Sequence, residues 1–165
     1  MTTSDRADIQ IRPARAADLQ ALGRLGASLV RTHHAFDPRR FFAPSPRTEH
    51  GYAEFLGSQL DERDVILLVA EEGGKVIAYS YAAVEGLDYM ALRGPAGVLH
   101  DIVVDPVRRG CGVGRTLLDA TIRALESRGV PQIVLQAAAR NEAARRLFAG
   151  AGFRETMVEM TRDVG

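Results

Sequence analysis

Residues 103–118 read V-V-D-P-V-R-R-G-C-G-V-G-R-T-L-L, and this stretch carries the chain's clearest chemistry. Glycines at 110, 112 and 114 remove side chains from the backbone just where an apolar run gives way to helical spacing. Successive open amides in such a turn, with the positive end of a helix dipole behind them, make a site for an anion, and a pyrophosphate is the kind of group it suits. Arg108, Arg109 and Arg115 add positive charge around the turn. Cys111 is the only cysteine. It can form neither an internal disulfide nor a metal cluster, and it reads as a small filler of the loop.

Two other glycine motifs fail by counting. The dinucleotide fingerprint G-x-G-x-x-G needs glycine at 115 or 117, where Arg115 and Leu117 stand. The nucleoside-triphosphate loop needs glycine at 109 and lysine at 115, and both positions hold arginine. His33, His34, Asp37 and His50 are irregularly spaced around a proline-rich stretch and read as solvated surface, so no metal site is expected.

The elements that must hold the turn follow from periodicity. Residues 9–12 alternate as a first strand and stop at Pro13; Asp18 is placed to cap a helix whose apolar stripe is Leu19, Leu22, Leu25, Leu29 and Val30. Pro38, Pro44 and Pro46 force a loop, after which Thr48 precedes a second helix with Tyr52, Phe55, Leu56 and Leu60 on one face. Residues 65–71 and 75–84 are β-rich runs around Gly73 and Gly74 and predict a hairpin. A strand over 98–104, a helix through Leu117, Leu118, Thr121, Ile122 and Leu125, and a strand over 133–136 predict a βαβ unit with parallel strands. Asn141 opens a further helix through Phe148, and residues 156–161 predict a last strand.

The bulk properties bound the function. At 165 residues, 46% hydrophobic and 25% charged, the sequence suits one globular domain over 1–165 and argues against disorder. Lys plus Arg equals Asp plus Glu at 21 each, so no summed field draws the molecule to nucleic acid or an anionic membrane. The start is polar, without a secretory apolar core, and the longest apolar run, 65–70, falls far short of the ~18 residues that span a bilayer. A cytoplasmic location is the expectation.

Two patterns then meet. Arg109 to Gly114 fit R/Q-x-x-G-x-G behind a strand ending V-x-P at Val104, Asp105 and Pro106. Downstream, Asn141, Ala144, Leu147, Phe148, Gly152 and Phe153 fit N-x-x-A-x-x-L-(Y/F)-x-x-x-G-F. In these patterns and in element order the sequence resembles the GNAT superfamily of acetyl-CoA-dependent N-acetyltransferases. The match is specific from His100 to Phe153 and loose over the first 60 residues.

That resemblance implies an α/β (α+β) domain with a mixed, mostly antiparallel sheet, splayed parallel strands four and five, and about four flanking helices. It implies acetyl-CoA as co-substrate, with its pyrophosphate on Arg109, Gly110, Cys111, Gly112, Val113, Gly114 and Arg115. Ile102, Val103 and Val104 would give main-chain contacts to the peptide-like pantetheine arm, and Asn141 would bond it from the other side. The implied reaction is direct transfer in a ternary complex to a primary amine, either a small molecule or a peptide. His100 matches a position that holds the base in some members. Strand alternation puts it on a face with Val98 and Ile102, and turns Asp101 away unless a bulge intervenes.

One position departs from the family pattern. Many members carry a tyrosine as general acid where this chain has Phe148, leaving Tyr79, Tyr81 and Tyr89 as substitutes. The alternative reading is therefore a catalytically weak acyl-CoA-binding sensor or regulatory module. Glu85 and Asp88 are placed to meet a cationic acceptor, and a homodimer is an open assembly.

Overall fold

The computed structural model describes residues 8–165; the polar residues 1–7, and that part of the expected 1–165 domain, lie outside the described residues. Strands β1 (Gln10–Pro13), β2 (Val65–Glu72), β3 (Lys75–Glu85), β4 (Ala96–Val104) and β5 (Ile133–Leu135) form one sheet in sequence order. The first four pair antiparallel, and β4 pairs with β5 in parallel. Helices α1 (Leu19–Phe36) and α2 (Thr48–Gln59) lie on one face, and α3 (Val113–Glu126) and α4 (Glu142–Gly150) on the other. This is the mixed α/β architecture that the sequence predicts.

Strand β2 shows why the layers form. Its run V-I-L-L-V-A is apolar throughout because both faces are covered. Leu67 and Val69 join Leu22, Leu25 and Leu56 from α1 and α2, while Ile66 joins Leu118, Leu125 and Phe148 from α3 and α4. The hairpin after β2 turns on Gly73 and Gly74, whose φ values of 55° and 78° suit the twist of the flanking strands. Helix α1 packs tightly on α2: a Cβ on Gly26 would lie 2.3 Å from the ring of Tyr52.

Asp18 differs from its expected role. It lies in a short 3-10 turn (Ala16–Asp18) before α1, where its carboxylate accepts from the Arg15 amide at 2.8 Å and from Arg12 at 2.8 Å. Arg12 also reaches Glu71 at 2.6 Å. The carboxylate thus ties the turn before α1 to β1 instead of capping α1, and the Arg12 bond holds its pKa below the ordinary carboxylate value.

Two irregularities in β4 shape everything downstream. Tyr81 stands opposite Asp101 and Ala82 opposite Leu99, so His100 is an extra residue in the ladder. This bulge resets the alternation. Asp101 and Val103 face α1 and α2, whereas Ile102 packs with the α3 and α4 cluster. His100 stacks on Tyr81, which packs on the α1 and α2 side, so it shares that side with Asp101 and not with Ile102. The expected face assignment is corrected accordingly.

The second irregularity is a fork. β5 pairs with β4 only at Gly97, Val98 and Leu99. β4 continues to Val104 with β3 as its remaining strand neighbour.

The predicted strand over 156–161 is absent: beyond α4 the chain forms no helix or ladder. Glu155, Glu159 and Asp163 there pair with Arg145, Arg40 and Arg39, bonds that fasten the segment through side chains and supply no neighbouring strand. Among the described residues, no helix is long and apolar enough to cross a membrane.

Candidate functional site

The site grows from the end of β4. Asp105 accepts from the Val107 amide at 3.1 Å and starts a single 3-10 turn (Pro106–Arg108), which swings the chain back toward α3. Gly110 and Gly112 then take φ values of 76° and 85°, a left-handed geometry that costs any other residue about 1–2 kcal/mol. Gly112 caps α3 with no side chain, and the first amide to find a carbonyl is that of Thr116, bonded to Gly112 at 3.1 Å.

The amides of Gly110, Cys111, Gly112, Val113, Gly114 and Arg115 have no protein acceptor among the described residues. They lie where the dipole of α3 is positive. Gly114 adds a steric observation. A Cβ there would meet Val104 at 3.5 Å and Leu147 at 3.6 Å, both ordinary contacts, so the fold itself tolerates a side chain at this position. A bare backbone at 114 instead suits close approach by a ligand, and the turn fits a diphosphate.

The three arginines differ in their commitments. Arg108 pairs with Glu72, and Arg115 bonds Asp119 at 2.9 Å and the Gly150 carbonyl at 3.1 Å. Arg109 donates only to the Val104 carbonyl, at 3.3 Å, and has no carboxylate partner among the described residues. Cys111 is exposed, with its sulfur 3.7 Å from the Arg109 carbonyl oxygen.

Ile102, Val103 and Val104 lie on the part of β4 that β5 does not reach. Asn141 stands at the start of α4, where its Oδ1 accepts from the Ala144 amide at 3.1 Å. Its oxygen is therefore engaged, and the side-chain NH2 remains as donor.

His100 projects from the bulge. Its ring stacks on Tyr81 with centroids 5.2 Å apart, and its Nε2 lies 2.7 Å from Glu85. Glu85 also receives Arg93 at 2.9 Å, and Asp88 accepts from the Met90 and Ala91 amides at 2.9 and 3.0 Å. These amide bonds hold Asp88 below the usual carboxylate range. Both acids that the sequence offers to an acceptor thus have internal partners.

A buried polar group beside His100 escaped the sequence reading. Asp101 accepts from the Tyr79 hydroxyl at 2.9 Å. Burial pushes the Asp101 pKa up, while the Tyr79 bond and the nearby His100 and His33 pull it down. Burial, aided by the charge of Asp101, lifts Tyr52 to about 12. Only the bulge turns Asp101 to this side, and nothing in the residue pattern announces a bulge.

Of the tyrosines considered, Tyr79 is thus bonded to Asp101, Tyr81 donates to Gln59 at 3.2 Å, and Tyr89 is exposed. Phe148 is buried, edge-on to Phe153. On the α1 and α2 side a cavity of about 170 Å³ is lined by Leu29, Val30, His33, Phe41, Phe42 and Tyr52.

Comparison with known proteins agrees with this geometry. Residues 30–153 match the Acetyltransferase (GNAT) family. A mycothiol acetyltransferase of Acidothermus cellulolyticus is 33% identical over 160 residues, covering 89% of this chain and 45% of that one. The chain spans less than half the length of the mycothiol acetyltransferases it matches. A Bacillus halodurans protein has the same fold, with a TM-score of 0.81 at 22% identity over 94% of this chain and 99% of that one. So does a predicted acetyltransferase of Clostridium acetobutylicum solved with acetyl-CoA, with a TM-score of 0.72 at 19% identity over 93% and 96% of the two chains.

Proposed function

Because this chain belongs to the GNAT acetyltransferase family, we propose that it is an N-acetyltransferase acting directly from acetyl-CoA on a primary amine held in the same complex. The observation that carries the reading is the row of open amides from Gly110 to Arg115. They bind the pyrophosphate, with Arg109 adding charge. The open side of β4 at Ile102, Val103 and Val104 offers main-chain groups to the peptide-like pantetheine arm, as an added strand would use them, and the Asn141 amide donates to it. The coenzyme supplies an acetyl group activated as a thioester. A lone exposed thiol suits a reducing compartment, and the protein acts in the cytoplasm.

An alkylammonium acceptor of pKa ~10.4 is almost wholly protonated at neutral pH, which handicaps attack by roughly 4–5 kcal/mol unless a base removes the proton. His100 is that base. Glu85, when ionised, only accepts, so the His100 Nε2 carries hydrogen and donates to it, leaving the Nδ1 lone pair to take up the proton, directly or through water. Phe148 donates nothing to the departing sulfur. A thiol of pKa ~8.5 leaves acceptably near neutrality, and water protonates it.

The cavity beside α1 and α2 lies on the same side of the sheet as His100 and receives part of the acceptor. Acceptor identity is not carried over from the mycothiol acetyltransferases, since this chain matches only part of them. The test is incubation with acetyl-CoA and a panel of small amines, amino acids, aminoglycosides and peptides while free thiol is measured. Thiol release with one acceptor class supports the reading. Tight coenzyme binding without transfer to any acceptor favours the sensor, a reading prompted by Phe148.

A further inference from the structure

Asp101 is a largely buried acid that the transfer chemistry above does not use. The bulge sets it on the same side of the sheet as His100, and it lies within electrostatic reach of His100, His33 and Tyr52. His33 and Tyr52 both line the cavity of about 170 Å³. The carboxylate thus stands between the proposed base and that cavity. Among the described residues it accepts one side-chain hydrogen bond, from Tyr79, whereas an ionised carboxylate offers about four lone-pair sites.

The cavity walls are mostly carbon. Leu29, Val30, Phe41 and Phe42 give it alkyl and phenyl surfaces. His33 spends its Nδ1 on the Leu29 carbonyl at 2.9 Å and packs edge-on to Phe41. Phe41 is held in place, since its carbonyl accepts from His34 at 2.9 Å and its ring lies 4.9 Å from the Arg40 guanidinium. Phe42 lines the cavity while 72% exposed, so its ring offers apolar area that an occupant would cover. An apolar cavity of roughly 150 Å³ holds one benzene ring, which sets the scale of that occupant.

We propose, building on acetyl transfer as the reaction, that the acceptor is a monoamine whose short arm carries one compact apolar group, as in an arylalkylamine. The ring fills the cavity, and the ammonium rests on Asp101 beside His100. A polycationic acceptor would need several free carboxylates here, yet Glu85 and Asp88 have internal partners. One acid beside an apolar slot matches one positive charge beside one ring.

Calorimetry on the protein saturated with coenzyme A, a complex that has no acetyl group to transfer, compares phenethylamine with ethanolamine. Phenethylamine is expected to bind at least about tenfold tighter. Phe42→Ala, at an exposed position, narrows that ratio. Asp101→Asn weakens phenethylamine at least about tenfold and leaves its neutral analogue, phenethyl alcohol, within about twofold. Circular dichroism and melting curves confirm that both variants are folded. Equal binding of the two amines overturns the proposal, as does an Asp101→Asn variant that weakens amine and alcohol alike. With acetyl-CoA in place of coenzyme A, thiol release should rank the amines in the same order. Phenethylamine bound in this way without thiol release supports the site and refutes acetyl transfer to it. Thiol release that favours ethanolamine keeps the transferase and overturns the acceptor class.

Discussion

The hydroxyl of Tyr79 donates to Asp101 at 2.9 Å in the layer between the sheet and α1, beside His100, the base we propose. Burial raises the Asp101 pKa above the ordinary 3.8, against the pull of Tyr79, His100 and His33. An acid whose folded pKa is raised contributes stability that is fully present below the unfolded pKa and is lost as pH rises through the folded one. Asp101→Asn keeps an acceptor for Tyr79 and removes that loss. It is expected to raise the melting temperature at neutral pH, with the gain shrinking as pH falls toward 3.8. Melting curves of both proteins across acid to neutral pH check this, and a gain constant with pH refutes it.

Gly114→Ala separates folding from binding. The new methyl meets only ordinary contacts, and alanine favours a helix over glycine by about 1 kcal/mol, so stability should hold or rise. Coenzyme A affinity should fall by about tenfold or more, because the methyl would stand at the diphosphate site we propose. Calorimetry with coenzyme A and thermal melts read the two effects. Unchanged affinity would place the diphosphate elsewhere.

His100→Ala is expected to lower kcat several-fold or more at neutral pH while barely moving coenzyme affinity. Steady-state rates across pH should also lose the limb set by the base. Glu85→Gln, which weakens the orientation of the ring, should give a smaller loss of the same kind. A wild-type pH profile in His100→Ala removes it from the mechanism.

Gly26→Ala tests the seam between α1 and α2. The added Cβ would sit 2.3 Å from the Tyr52 ring, so the helices must part or the ring must move. A loss of about 1–3 kcal/mol is expected, read as a fall in the denaturant midpoint. Tyr52 also lines the cavity beside the helices, so acceptor KM should rise more than coenzyme affinity falls.

The parts of the molecule legible in the sequence were those written in strong local patterns. The Gly73 and Gly74 hairpin, the apolar stripe of α1 and the βαβ unit around the glycine turn each follow from spacing, and each is present. Asn141 was placed correctly as a helix opening because its oxygen serves the local amide of Ala144. What escaped were features set by neighbours distant in sequence. The bulge at His100 arises from registry with β3, so strict alternation misassigned Asp101 and Ile102. Asp18 was drawn from capping by Arg12, an ion pair that no local rule anticipates. The run at 156–161 has strand chemistry but lacks a neighbour within its own domain.

The fork between β4 and β5 divides labour within single residues. Past Leu99 the exposed edge of β4 presents main-chain atoms alone, while the side chains of Ile102, Val103 and Val104 are occupied in packing the two layers. Recognition at such a slot, where we propose that the pantetheine arm lies, would read peptide geometry and be blind to which aliphatic residue stands there. Exchanges among valine, isoleucine and leucine along this edge would therefore follow the needs of the interior and leave the proposed groove unchanged, a tolerance that a pocket built of side-chain contacts would lack.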